Sequence, residues 1–319
     1  MNSNKFIEIK HLIVSSSVDY TTDYICLELK RRGVHYLRIN RDKFKEYEIW
    51  FSLDEEMLNV LIEKKHYLIS KNIDSVYFRA PVFLRSHKTY TVQEQLYRSQ
   101  WSAFIRNLVL FKKARWINNP VAVYGAENKL YQLDVAKKVG LDVPRSYVTN
   151  VVPYTIESGK RYVIKSLDTA LFYAGDREMF TYTTIVKGDE MRELSLSDAP
   201  VIIQEYLKNK VDLRVTVVGK KIFSVKILKK GMGIEEDWRK TPKEELSYIP
   251  ICLPEYVEQK ILRLMNELKL VFGGIDLAYS DGKYYFIEVN PTGEWGWLLN
   301  TAKIPVDKAI VDYMEGQYE

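Results

Sequence analysis

The chain has 319 residues, 46% hydrophobic and 28% charged, with Lys+Arg 47 against Asp+Glu 42 for a formal net charge of +5. This is a globular composition whose length suits two or three subdomains, and its small, dispersed positive excess excludes a dedicated nucleic-acid binder while suiting an anionic ligand. Two isolated cysteines (Cys26, Cys252) and four early histidines (His11, His35, His66, His87) exclude a disulfide framework, a structural zinc site and His-based chemistry in the later two-thirds.

In chain order, Phe6–Val14 reads as a strand, followed by a helix capped by Asp19 or Thr21 and running through Arg32, with Tyr24, Ile25, Leu27 and Leu29 inward and Gly33 as its stop. Val34–Asn40 and Asp74–Phe78 are the next strands, the latter stopped by Pro81. Between Thr89 and Ala114, Val92, Leu96, Phe104, Leu108 and Phe111 recur at helical spacing. Ser15-Ser16-Ser17 stands where a dinucleotide-binding domain would carry its glycines, which argues against a nicotinamide site. Asn118-Asn119-Pro120 marks a boundary. A helix over Glu127–Val139 follows, with Leu130, Leu133 and Ala136 as its apolar stripe, Gly140 as its end and Pro144 beyond. Strands are then predicted over Arg161–Leu167, Met179–Val186, Val201–Tyr206, Leu213–Val218 and Lys221–Leu228. A helix over Pro254–Leu268 precedes a last strand pair around Asp281-Gly282. The sum is an α/β unit followed by an α+β remainder. No apolar run reaches membrane-spanning length and the N-terminus lacks a long apolar stretch, so a soluble, cytoplasmic protein without membrane partners is expected.

The last strand pair carries the most chemistry. If the apolar faces of the two strands coincide, Ile275 pairs with Val289 and Leu277 with Ile287. That register sets Asp276 opposite Glu288, with Asn290 diagonal to them. A two-residue loop at Asp281-Gly282 would pair Asp276 with Ile287 instead, so an odd-numbered loop or a bulge is predicted. Facing carboxylates with a carboxamide are hard oxygen donors suited to Mg²⁺; the plainer alternative is the solvated face of a hairpin. Lys165, among apolar neighbours in its strand, either has an anionic partner or snorkels, and Lys129 in a first helical turn is either solvated or beside an anion. Gln204-Glu205-Tyr206 ends a buried strand, and Asp212 and Arg214 share one side of the next. Asp237-Trp238-Arg239 is a similar cluster, and each of these also reads as a local ion pair.

Taken in order, these motifs resemble the ATP-grasp superfamily over about residues 115–300: Asn128-Lys129, then Gly140-Leu141-x-Val143-Pro144, Lys165, Gln204-Glu205-Tyr206, Asp212-x-Arg214, and Asp276 with Glu288-x-Asn290-Pro291. Tyr77-Phe78-Arg79-x-Pro81, Asp237-Trp238-Arg239-Lys240 and Asn290-Pro291-Thr292-Gly293-Glu294-Trp295-Gly296-Trp297 are similar to the graspetide (microviridin-type) peptide macrocyclases. The resemblance implies an ATP-grasp fold with an N-terminal Rossmann-like pre-ATP-grasp domain over 1–118, a central lobe over 119–190 and a C-terminal lobe over 191–319. It implies that Lys129 and Lys165 contact ATP phosphates, that Gln204, Glu205, Tyr206 and Leu207 frame the adenine, and that Asp212 lies near the ribose. It further implies that Asp276, Glu288 and Asn290 hold Mg²⁺, and that Arg214 and Arg239 bind the γ-phosphate and an acyl-phosphate, with Lys226 or Lys229 assisting. The loop after Lys165 departs from the family pattern, carrying one glycine, Gly175; Thr169 and Leu171-Phe172-Tyr173 are the alternative closing elements.

The implied activity is ATP-dependent phosphorylation of Asp or Glu side chains in a ribosomal precursor peptide, followed by ester or amide ring closure with Ser, Thr or Lys. The implied partners are a leader-bearing peptide and a second copy of the chain. The aromatic surfaces, Trp295 and Trp297 included, are candidate docking sites, with Trp297 equally a core residue. The rivals are a ligase joining an amino acid to a small carboxylate or protein terminus, and a non-catalytic ATP-binding peptide carrier; the latter predicts a missing lysine or metal ligand.

Overall fold

A computed structural model of the chain describes residues 6–79, 90–168, 171–174, 177–180, 183–191, 193, 196 and 199–317. Pro81, Thr169 and Gly175 lie outside them.

The expected first strand divides into β1 (Ile7–Glu8) and β2 (His11–Ser15), which join different sheets. Helix α1 (Tyr20–Arg31) is capped by Asp19, whose side chain accepts from the Thr21 and Thr22 amides; Gly33 follows at φ +71. Its inner face carries Ile25 and Leu29, while Leu27 points to solvent. Strand β3 (Tyr36–Asn40) is followed by three strands absent from the sequence expectation: β4 (Glu48–Ser52), β5 (Met57–Ile62) and β6 (Lys65–Ile69). They form a meander whose sheet has the order β1-β6-β5-β4. Strand β7 (Ser75–Phe78) leads to α2 (Val92–Asn107), whose Thr91–Glu94 capping box fixes its start, and then to β8 (Arg115–Ile117). Val92 and Leu96 are exposed rather than inward, while the expected Phe104, Leu108 and Phe111 meet the core together with Trp101 and Ile105. Strands β2, β3, β7 and β8 make a parallel sheet of order β3-β2-β7-β8, the Rossmann-like half.

Two helices follow, α3 (Pro120–Ala126) and α4 (Lys129–Lys138). The buried face of α4 is Gln132, Leu133, Val135 and Ala136, so Leu133 and Ala136 are inward as expected while Leu130 is exposed. These helices share a core with Leu213, Val215, Ile261 and Val289, and so pack on the C-terminal sheet. The central sheet is built from β9 (Ser146–Thr149), β10 (Arg161–Lys165), a separate hairpin β11 (Leu171–Ala174) and β12 (Arg177–Phe180), β13 (Thr184–Lys187), the single turn α5 (Gly188–Met191) and β14 (Val201–Glu205). The strand expected over Met179–Val186 is thus two elements, β12 and β13. The order is β13-β10-β14-β9, so this sheet runs on to Glu205, past the expected boundary at 190.

The last sheet is fully antiparallel: β15 (Val211–Val218), β16 (Lys221–Lys229) and β17 (Leu246–Ile251), then helix α6 (Glu255–Glu267), then β18 (Phe272–Ser280) and β19 (Lys283–Asn290), in the order β17-β16-β15-β18-β19. Helices α7 (Gly296–Thr301) and α8 (Val306–Met314) return to the N-terminal unit, where Trp295, Ile310 and Val311 share a core with Ile13, Ile25 and Leu29. Trp295 is fully buried and therefore a core residue, not a docking surface.

The hairpin β18–β19 resolves the loop-or-bulge alternative. Asp281 and Gly282 both take positive φ, 48 and 78, as a two-residue type I′ turn requires. Pairing runs Tyr279↔Tyr284, Ala278↔Tyr285 and Leu277↔Phe286; the register then shifts, and Asp276 meets Glu288 and Ile275 meets Val289. Ile287 is the extra residue. The expected Leu277–Ile287 pair is therefore replaced by Leu277–Phe286, because the bulge absorbs one residue so that the acidic pair can face and Phe286 can enter the core.

Candidate active site

Between the central and C-terminal sheets lies a cavity of about 480 Å³. The end of β14 and the following turn (Gln204, Glu205, Tyr206, Leu207) line one part, with Pro144, Val163, Ala278 and Ile287 as apolar walls. Lys129, Lys165, Asp212, Arg214, Arg239, Asp276, Glu288 and Asn290 line the polar part, and Trp238 and Trp297 stand there too, with ring centroids 6.3 Å apart. Of the site residues expected from sequence, only Lys226 is missing. Strand alternation explains this: Lys226 pairs with Leu213, on the sheet face opposite Arg214 and Asp276. Lys229 is held at the edge by Glu245 at 3.0 Å.

The polar part is an alternating array of charge. Arg214 Nη1 donates to Asp276 Oδ1 at 2.9 Å and its Nη2 to the Glu294 carbonyl at 3.2 Å, while its buried Nε–H has no partner among the described residues. Arg239 Nη2 bridges the facing carboxylates, donating to Asp276 Oδ2 at 2.6 Å and Glu288 Oε1 at 2.9 Å. Asp237 caps the short turn bearing Arg239 by accepting its backbone N–H at 3.1 Å. Lys129 Nζ lies 3.9 Å from Glu288 Oε2 and donates to the Ser166 carbonyl at 3.1 Å.

Burial alone would raise the Glu288 carboxyl, but Arg239, Lys129 and Lys165 outweigh it and hold it down at about 2. The Lys165 ammonium is pushed below its ordinary value, first by burial and then by Lys129 and Arg239, with Glu288 opposing. Asp212 is raised to about 6 because burial outweighs Lys210, whose Nζ sits 2.5 Å from Oδ2. At the other part, Gln204 Nε2 donates to Ser146 Oγ at 2.9 Å, and Glu205 accepts the Arg145 amide at 3.0 Å. Together with the Glu205 amide, which donates to the Arg145 carbonyl at 2.9 Å, those bonds fix the strand end against the segment 144–146.

Sequence reasoning passed over several contributors. Gly274 and Gly293 flank Arg214: a Cβ at either would fall 2.3 Å or 2.7 Å from Nη2, so the guanidinium occupies space only glycine leaves. The Gly273-Gly274 pair inside a strand was the available signal. Lys210, Glu294 and Ile287 also line the cavity.

Residues 182–314 match a RimK-like ATP-grasp domain. The whole chain superposes on an ATP-grasp ligase associated with a ribosomal peptide product of Chryseobacterium gregarium, in complex with ADP and a leader and core peptide, with TM-score 0.83, 24% identity and 98% of each chain covered. The chain has the ATP-grasp fold. It is also similar to the macrocyclase MdnC of Microcystis aeruginosa, bound with precursor peptide MdnA, at TM-score 0.79 and 22% identity, covering 97% of this chain and 100% of that one. More distantly, it is similar to a D-alanine–D-alanine ligase of Bacillus anthracis complexed with ATP, at TM-score 0.55 and 14% identity, with 97% and 96% covered. Comparison with curated proteins finds no match. No helix among the described residues is long and apolar enough to cross a membrane.

Proposed function

We propose that this chain is an ADP-forming ligase that activates Asp or Glu side chains of a ribosomal precursor peptide with ATP. It then joins them to Ser, Thr or Lys side chains as ester or amide rings. The observation that carries this reading is the charge array: two arginines, two lysines and three oxygen donors converge in one cavity whose other part is lined by the strand end at 204–207.

A carboxylate is a poor electrophile. One of its oxygens attacks the γ-phosphorus, the bond to the ADP oxygen breaks, and an acyl-phosphate results. A hydroxyl or amine then attacks the acyl carbon, the carbon–oxygen bond to phosphate breaks, and the nucleophile's proton leaves with the phosphate. This route needs no histidine. Lys129 and Lys165 neutralise phosphate oxygens; the pKa of Lys165 is lowered first by burial and then by the neighbouring Lys129 and Arg239, and a bound polyanion would favour its charged form. Arg214 and Arg239 offer planar forks to the transferred phosphoryl group, and the unpartnered Nε–H of Arg214 is a donor in reserve. Backbone groups of 205–207 take the adenine edge, and Asp212 faces the ribose.

Asp276, Glu288 and Asn290 fit Mg²⁺: all donors are oxygens, and the two carboxylates already hold a cationic nitrogen of Arg239 between them at 2.6 Å and 2.9 Å. When bound, the ion supplies charge neutralisation of the phosphate oxygens. No role is proposed for Lys226.

The reading is tested with candidate precursor peptides encoded beside this chain, incubated with ATP and Mg²⁺. Intact mass should fall by one water per linkage, and Glu288→Ala or Asn290→Ala should abolish ADP formation while leaving the fold intact. Retained ADP formation in both variants refutes metal-dependent transfer. The match of residues 182–314 to a RimK-like domain favours a second reading, a ligase adding amino acids to a small carboxylate or protein terminus. An unchanged peptide mass with ADP released only on adding free amino acids would select it.

A further inference from the structure

Arg79 stands just after β7 in the N-terminal sheet, yet its side chain reaches the far end of the chain. The guanidinium is buried, and each of its arms is engaged. Nε donates to Asp19 Oδ2 at 2.9 Å, Nη1 donates to the carbonyl oxygens of Thr292 at 2.8 Å and Gly293 at 3.1 Å, and Nη2 donates to the Glu294 carboxylate. The other Glu294 carboxylate oxygen accepts from Thr21 Oγ1 at 2.6 Å. Behind it, Gly296 lies so close to α1 that a Cβ would fall 2.9 Å from the Tyr20 ring.

The gripped segment, Thr292–Glu294, is also one wall of the cavity. The Glu294 carbonyl accepts from Arg214 Nη2 and from Trp297 Nε1, both at 3.2 Å, and Gly293 closes the slot in which the Arg214 guanidinium lies. Burying an arginine is costly unless its donors are met, and here they are met by two carboxylates and by two backbone carbonyls of the loop, Thr292 and Gly293. An apolar side chain at 79 would fill the space without fixing where those carbonyls point. The same loop therefore faces the N-terminal unit with one side and orients Arg214 with the other.

We propose that Arg79 is a positioning residue for phosphoryl transfer: it clamps the Thr292–Glu294 loop so that the Glu294 carbonyl and Gly293 hold Arg214 on the terminal phosphate of the nucleotide. This rests on the ATP-dependent reading of the cavity. Arg79 touches no reacting atom, so its influence is selective: it bears on the phosphate that Arg214 meets, not on the adenine held by residues 205–207.

The test uses the full chain as wild type, Arg79→Gln, Arg79→Lys and Glu294→Gln. Hydrogen exchange over 291–297 and calorimetric affinity for ADP and for AMPPNP, each with Mg²⁺, are measured. In Arg79→Gln the loop amides should exchange at least about tenfold faster, AMPPNP affinity should fall roughly tenfold through the loss of one charge-assisted contact, and ADP affinity should stay within about twofold. Arg79→Lys should recover part of the AMPPNP loss. Added to Arg214→Gln, Arg79→Gln should cost AMPPNP less than about a further twofold, because both act on one contact. If Arg79→Gln does not fold, Glu294→Gln, which alters an exposed carboxylate, carries the same comparison. Loss of ADP and AMPPNP affinity in equal measure would make Arg79 mere interdomain glue. A loosened loop with an unchanged AMPPNP-to-ADP ratio also overturns the positioning role. A wild type that binds neither nucleotide overturns the ATP reading itself, and the positioning role with it.

Discussion

Gly274→Ala sets two opposing effects against each other. In a strand interior, alanine is intrinsically better than glycine by about 0.5–1 kcal/mol. Against this, the new Cβ would lie 2.3 Å from Arg214 Nη2, 2.6 Å from Cζ and 3.0 Å from Nε. Ordinary carbon contact lies near ~3.5 Å, so the guanidinium must retreat by about 1 Å. Gly293 leaves no room on the other side, since a Cβ there is already excluded at 2.7 Å from the same nitrogen. Arg214 therefore leaves the slot and gives up its 2.9 Å bond to Asp276 and its 3.2 Å bond to the Glu294 carbonyl. Stripping a buried carboxylate of its only partner costs ~3–5 kcal/mol. Asp276 keeps Arg239 at 2.6 Å, which brings the loss to about 2–3 kcal/mol, and the propensity gain leaves a net cost of about 2 kcal/mol. The melting temperature should fall by about 3 °C, and peptide-dependent ADP formation by about a hundredfold from the misplaced arginine. Gly273→Ala on the same strand is the control. Its Cβ meets only the flexible Met265 tip and a Val289 methyl at 3.0 Å, so its loss should be smaller and activity largely kept. A Gly274→Ala protein that melts at or above the wild type would refute the claim that the guanidinium fills that space.

Asn118→Ala should destabilise the chain by about 3–5 kcal/mol in urea unfolding. The buried amide donates to the carbonyls of Phe272 at 2.7 Å and Pro291 at 2.8 Å, and accepts from the Val271 and Phe272 amides, so its loss orphans groups at both ends of the site hairpin. Glu28 is held down at about 2, first by its hydrogen bond to Arg31 and then by Arg32, with burial opposing. A depressed carboxyl stabilises the fold above its unfolded value of 4.5 and loses that contribution as pH falls toward 2. The stability advantage of wild type over Glu28→Gln should therefore be about 2 kcal/mol at pH 7, discounted because Arg31 is exposed, and should shrink in melts taken from pH 5 to pH 3. Arg239→Ala leaves Asp276 and Glu288 facing each other without the bridging guanidinium, so Mg²⁺ alone should raise its melting temperature more than that of the wild type; an equal rise would show that Arg239 is no stand-in for the ion.

Much of the site hairpin was legible because its constraint is short-range. Period-two alternation and the need to bury Ile275 with Val289 fix Asp276 against Glu288 whatever the loop does, and only the compensating bulge at Ile287 stayed open. The meander β4–β6 was missed because its strands mix inward and outward apolar residues: Trp50 is exposed while Phe51 packs inward, so the alternation carries no clear polarity. The stripe on α4 was legible at Leu133 and Ala136 but not at its start, where Leu130 is exposed and Gln132 faces inward, its amide bonded to Ala126 and Val289 carbonyls. A hydrophobicity pattern reads such a glutamine as outward.

The parts that stayed illegible share one cause: they act across the chain. Lys226 and Arg214 both look like phosphate ligands until the pairing Leu213↔Lys226 shows that they sit on opposite faces of one sheet. Trp295 and Trp297 are two residues apart in one motif, yet the first is sealed under α1 and the second lines the cavity, because α7 begins between them and turns their side chains apart. Arg79 and Gly293 carry no mark of their joint role, since the donor and the carbonyl it grips belong to different units. Sequence spacing reports what neighbours along a strand or helix must do. The chemistry of this cavity also depends on which carbonyl a distant arginine holds, and that is decided only when the N-terminal sheet closes on the loop after β19.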